Sequence, residues 1–149
     1  MREAINAALK NAMKTGDKRR VSTLRMMNAA IKDRDIEARG QGKGPLGDDE
    51  LMALFQKMIK QRQESAEIYA KAGRGELEAQ EREEIAIIAA YLPQQMDDAA
   101  IAEAVRAVAG EIGAAGMRDM GKVMAALRER YAGRMDFAKA SAAAKGVLG

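Results

Sequence analysis

Glu81-Arg-Glu-Glu-Ile-Ala-Ile-Ile-Ala-Ala-Tyr-Leu-Pro-Gln94 decides how this chain is organised. The stretch begins as helix, with Glu, Arg, Ala and Ile in an amphipathic order, and runs into Pro93. Proline has no backbone N–H and its ring clashes with the preceding turn, so a helix seldom continues through it. Residues 1–93 read as a helical module with a long antiparallel helix pair, and residues 94–149 as a small tail of three short helices. The fold class expected is all-α.

Working outward, the residues before the break are rich in Ala, Leu, Met, Glu, Lys, Arg and Gln, all strong helix formers. A first helix is expected over about 2–14, with Ile5, Leu9 and Met13 on one stripe. Thr15-Gly16-Asp17 reads as a stop and a new N-cap. A second helix runs to about Arg39, and Gly40-Gln-Gly-Lys-Gly-Pro-Leu-Gly47 is a loop. Asp48 is the expected cap of a third helix over about 49–72, with Leu51, Leu54, Phe55, Met58, Ile59 and Tyr69 inward. After Gly73-Arg74-Gly75 a fourth helix, about 76–92, carries Leu77, Ile85, Ile88, Tyr91 and Leu92 on one face. So short a turn makes the third and fourth helices antiparallel neighbours. Beyond Pro93, Asp97 caps a fifth helix with Ile101, Val105, Val108 and Ile112 inward. A sixth spans about 118–131 around Met120, Val123, Met124 and Leu127, and Asp136 starts a seventh.

Composition removes whole classes of function. The chain has no Cys and no His, so disulfides, thiolate metal sites and the commonest acid/base residue are absent. It has no Trp and only 3% aromatic residues, too few for a base-stacking platform. Ser22, Ser65 and Ser141 have no base at catalytic spacing. No catalytic residue, metal site or cofactor is expected. No apolar run approaches the length of a membrane span and the N-terminus lacks a signal-peptide core, which makes a cytoplasmic protein the expectation. The net charge of +3, from 25 Lys+Arg against 22 Asp+Glu, leans only slightly toward anionic partners.

Three constellations stand out. Arg25, Asp35, Arg62, Glu81 and Glu84 fall on or beside apolar faces, so two or three carboxylates meet one or two guanidiniums in a partly dry interface. Such a set is either a pocket with shifted pKa values or an ion-pair network that sets helix register, and paired opposite charges favour the network. Residues 1–25 hold seven cations against Glu3 and Asp17, a net of +5. That patch reads equally as a solvated face or as a contact for phosphates or an anionic membrane. Finally, Gly116-Met-Arg-Asp-Met-Gly-Lys-Val-Met124 is followed by Arg128, Arg130 and Arg134. Arg118 and Lys122 lie off the core stripe, and Gly121 on a helical first turn lets a backbone approach closely. The pair Gly121-Lys122 is no Walker motif, which requires Gly-x-x-x-x-Gly-Lys-Ser/Thr after a strand.

Leu24-Arg25 with Ile31-Lys32, Lys60-Gln-Arg-Gln-Glu-Ser65, Ala72-Gly-Arg74, Glu81-x-x-Glu84-Ile85 and Tyr91-Leu-Pro93 together resemble the YqeY proteins. Asp119-Met-Gly-Lys-Val-Met124 and Gly133-Arg-x-Asp136 resemble the tail shared by that family and the B subunit of the glutamine-dependent aspartyl/glutamyl-tRNA amidotransferase. Ala125 and Met135 stand where the family pattern suggests Gly and Ala. The resemblance implies a non-catalytic tRNA-binding accessory protein of aminoacylation or amidation, with Arg118, Gly121, Lys122, Arg128, Arg130 and Arg134 as RNA contacts. It also implies an aminoacyl-tRNA synthetase or amidotransferase as partner, with neither DNA nor membrane. An adaptor docking on such an enzyme is the alternative. A carbon–nitrogen ligase using glutamine is disfavoured, because 149 mostly helical residues show no kinase-like ATP site.

Overall fold

The computed structural model describes residues 1–149 as helices and connecting turns, without a strand. The chain divides between Leu92 and Pro93 into two compact units, one residue ahead of the boundary read from the sequence.

The first unit is two helical hairpins. Helix α1 (Arg2–Thr15) turns at Gly16, whose φ of 73° is left-handed, into α2 (Lys18–Gly40), with the Asp17 carboxylate accepting from the Arg20 N–H at 3.1 Å. Helix α3 (Asp48–Lys71) and α4 (Gly75–Ala89) flank Gly73, at φ 70°. Arg62 and Glu84, eleven positions on either side of Gly73, meet at 3.1 Å, which sets the antiparallel register of that pair. The core joins Ile5, Leu24, Met27, Ile31, Leu51, Phe55, Met58 and Ile88.

Several boundaries differ from the sequence reading. Helix α4 ends at Ala89 rather than Leu92; Tyr91 and Leu92 donate instead to the carbonyls of Ile88 and Ala89, the tighter winding of a helix that is ending. Gly47, not Asp48, occupies the α3 N-cap, and Asp48, Asp49 and Glu50 lie in the first turn where the helix dipole favours negative charge. Met13 and Leu77, expected inward, are exposed, and Ala12 takes the buried place on α1.

The expected polar network resolves into two separate clasps. In one, Arg62 donates to Glu84 and to the Met58 carbonyl, with Met26 sulfur also against its guanidinium, and the Arg62 and Glu84 side chains are 12% and 7% exposed. Arg19 reaches the same edge, 3.1 Å from Glu83 and 4.0 Å from Glu84. In the other, Asp35 is held not by Arg62 or Arg25 but by Arg2, in a forked pair of 2.7 and 2.9 Å. Arg25 and Glu81 belong to neither clasp: Arg25 is exposed on α2 and touches Met13 sulfur, and Glu81 is half-buried with no ion-pair partner. The helix-face projection placed Asp35 and Arg62 correctly on inward arcs, but which arcs meet depends on inter-helix register.

The Arg2–Asp35 clasp also closes the glycine-rich loop. The Leu46 N–H donates to Asp35 at 3.0 Å, and Arg2 donates to the Leu46 carbonyl at 2.9 Å. The Arg2 hydrogen bonds, helped by the Leu46 amide, hold the Asp35 carboxyl down at about 2 from an ordinary 3.8. A carboxyl depressed in the folded state contributes stability that is complete above its unfolded pKa and is lost as pH falls toward its folded pKa. Asp35→Asn should therefore melt below the parent near neutral pH, and the two curves should converge between pH 3.8 and about 2. A melting-temperature difference that stays constant on acidification contradicts this role.

The second unit holds α5 (Asp98–Glu111), a single 3-10 turn at Met117–Asp119, α6 (Met120–Tyr131) and α7 (Phe137–Leu148). Asp97 and Asp136 cap α5 and α7 through their carboxylates. Ile101, Val105, Val108, Val123, Leu127, Met135, Ala140 and Ala144 form the core. Ile112, expected inward, lies just past the end of α5 and is 40% exposed. Met135 is fully buried, although no helical period marks it, because it sits in the turn between α6 and α7. That turn is stitched to the residues after the proline: Met96 N–H donates to the Arg134 carbonyl at 2.8 Å and the Gln95 amide to the Gly133 carbonyl at 2.5 Å.

Candidate nucleic-acid interface

Helix α6 is built to turn one face outward. Val123, Met124 and Leu127 are buried, which leaves Gly121, Lys122, Ala125, Arg128 and Glu129 in solvent. At 100° per residue the two small residues, Gly121 and Ala125, run along the middle of that face with Lys122 on one side and Arg128 on the other. The one acid on it is Glu129.

The backbone at Gly121 is helical, and a Cβ added there meets nothing within 4 Å. Nothing inside the unit therefore requires glycine, while glycine in a helix is less stable than alanine by roughly 1 kcal/mol. The residue that is missing a side chain faces open space.

Ahead of α6 the 3-10 turn sets Arg118 in solvent. Asp119 fixes this turn by accepting from the Ala115 N–H at 2.8 Å. That amide hydrogen bond, followed by the charges of Arg118 and Lys122, keeps the Asp119 carboxyl below its ordinary value, so it is ionised at neutral pH. Arg118 and Lys122 make no salt bridge.

The arginines after α6 divide into two kinds. Arg128 lies over the Phe137 ring at 5.7 Å and Arg134 over Tyr131 at 6.0 Å. Ring stacking holds a guanidinium in place while its N–H edge stays free to donate. Arg130 differs from the expectation: it pairs with Glu111 at 2.6 Å, so its charge is already compensated within the unit. Its helical position, about 180° around α6 from Gly121, puts it on the flank that meets Glu111 of α5 rather than on the outer face. Sequence reasoning also missed the supporting rings. Tyr131 precedes Arg134 by three residues and could have been read as its platform, whereas the Arg128–Phe137 contact spans the turn between α6 and α7 and has no local signature.

The structure thus defines a class: an all-helical protein of two units, the second presenting a cationic helix face with a small-residue centre. The model of the Yqey-like proteins matches residues 2–148, and the chain belongs to the YqeY family. Among curated relatives, the "Altered inheritance of mitochondria protein 41, mitochondrial" of Lachancea thermotolerans is 38% identical over 86 residues, covering 58% of this chain and 44% of the relative. The protein of that name from Eremothecium gossypii is 34% identical over 84 residues, covering 56% and 44%. That from Vanderwaltozyma polyspora is 31% identical over 96 residues, covering 60% and 50%. The chain spans about half the length of the curated relatives it matches, or somewhat less. No helix is long and apolar enough to cross a membrane.

Proposed function

We propose that this protein is a non-catalytic tRNA-binding accessory factor that uses the outer face of α6 to hold the RNA backbone. The observation that carries the reading is the pairing of an open glycine at 121 with exposed cations at Arg118, Lys122 and Arg128 that are held in no salt bridge. A phosphate ribbon needs close approach and positive charge together, and double-helical RNA is read mainly through phosphates and 2′-hydroxyls. The likeness of 119–124 and 133–136 to the amidotransferase tail supports tRNA as the RNA. A synthetase or amidotransferase is the enzyme such a factor serves. The reading needs a compartment that holds tRNA, and the relatives named as mitochondrial extend that from the cytoplasm to the organelle.

Filter binding of unfractionated tRNA tests it. The parent binds at low salt and weakens steeply as salt rises. Lys122→Glu with Arg128→Glu, both at exposed positions, binds at least about tenfold more weakly, and its logarithmic salt slope is shallower by about two, one for each phosphate no longer neutralised. Arg130→Glu, already paired, has a smaller effect than either. An absence of binding at low salt ends the proposal.

A further inference from the structure

The cationic amino-terminal patch contains a groove of its own. It has a volume of about 540 Å³ and is lined by Met13, Gly16, Lys18, Val21, Ser22 and Arg25 at the turn between α1 and α2. That size lies within the ~300–1,000 Å³ of ordinary ligand sites. Its floor is aliphatic: Met13 is 48% exposed and Val21 is half-buried. Gly16, in its left-handed turn with open space where a Cβ would stand, leaves the mouth clear.

Both cations of the groove lack an acid. The Arg25 guanidinium finds only the Met13 sulfur, at 3.6 Å, and a thioether is a weak acceptor that offsets no charge. Lys18 has no ion-pair partner. The neighbouring Asp17 carboxylate is engaged in capping α2, and Arg19 is turned to Glu83 and Glu84. The groove is therefore a greasy strip with unneutralised positive charge at its edge.

We propose that this groove docks an acidic amphipathic helix from a partner protein. Apolar side chains at i, i+3 and i+4 of the ligand fill the strip over Met13 and Val21, and carboxylates on its flank meet Lys18 and Arg25. Exposed methionine suits such a site because its flexible thioether adapts to different apolar partners. A nucleic acid fits less well. It uses the two cations but leaves the aliphatic floor uncovered, and no aromatic ring lines the groove for a base to stack on. This surface is separate from the α6 face and does not depend on RNA binding there.

The test uses the full chain and three synthetic helical peptides with one leucine face, flanked by glutamate, glutamine or lysine. With methionine methyl groups labelled, the Leu/Glu peptide shifts the Met13 resonance and binds more tightly than Leu/Gln, while Leu/Lys does not bind. Lys18→Glu with Arg25→Glu weakens the Leu/Glu peptide by about tenfold or more and makes Leu/Lys the better ligand, since charge complementarity has been reversed. Lys122→Glu leaves peptide binding unchanged, which keeps this result apart from any failure of the RNA reading. Equal affinity for the Leu/Glu and Leu/Gln peptides, or an unmoved Met13 signal, overturns the proposal. So does a double reversal that weakens tRNA binding while sparing the Leu/Glu peptide.

Discussion

Glu84→Ala removes roughly 3–5 kcal/mol from the stability of the first unit, the range seen when one partner of a buried ion pair is deleted. Glu84 is the only charged residue of the chain buried to 5% exposure, and its partner Arg62 has no other carboxylate. Without Glu84 the guanidinium keeps only the Met58 carbonyl and the Met26 sulfur, neither of which balances a charge. For a unit of this size each kcal/mol moves the melting temperature by about 4–8 °C, so the shift exceeds 10 °C. Glu84→Gln retains the shape and one acceptor and should lose less. Replacing both partners by Met or Leu should recover much of the loss, because the pair's main contribution is to avoid an unbalanced charge. Thermal and urea unfolding followed by circular dichroism decide it. A Glu84→Ala loss below about 1 kcal/mol would mean that solvent already screens the pair.

Leu127→Ala is the second large effect. Leu127 is fully buried at the centre of the second-unit core, on the side of α6 opposite Gly121 and Ala125. Deleting a buried leucine side chain removes about 2–5 kcal/mol through forfeited transfer energy and the cavity left behind. A unit of 57 residues, Pro93–Gly149, has a total stability of that same order. The substitution should therefore abolish hydrogen-exchange protection of α6 and collapse the dispersed signals of its core methyl groups. Ile112→Ala, on an exposed apolar residue, should change stability by less than about 0.5 kcal/mol. Retained protection of the Val123 and Met124 amides in Leu127→Ala would show that α6 is held by something other than this core.

What could be read from the chain was what local rules govern. Pro93, the glycines at 16 and 73, the glycine loop at 40–47 and the aspartate caps at 17, 97 and 136 placed seven helices and the division between units, because turns and caps act within a few residues. The outward position of Arg118 and Lys122 followed from the period of Val123, Met124 and Leu127. What stayed hidden was pairing across helices. Arg2 drew no attention as a partner for Asp35, since the match depends on how α1 is registered against α2 and brings together residues 33 positions apart. Arg130 looked as available as Arg128 until α5 placed Glu111 against it. Periodicity assigns a residue to a face; only packing says what the face meets.

The stitch between Gln95–Met96 and the Gly133–Arg134 carbonyls decides where the chain can be cut. The proline segment has the sequence of a linker, yet through the Gln95 side chain and the Met96 backbone it serves as the fourth wall of the tail, holding the corner that carries Arg134. A truncation that removes Gln95 and Met96 would take that wall away from the tail, so the natural seam for separating the halves lies ahead of Pro93.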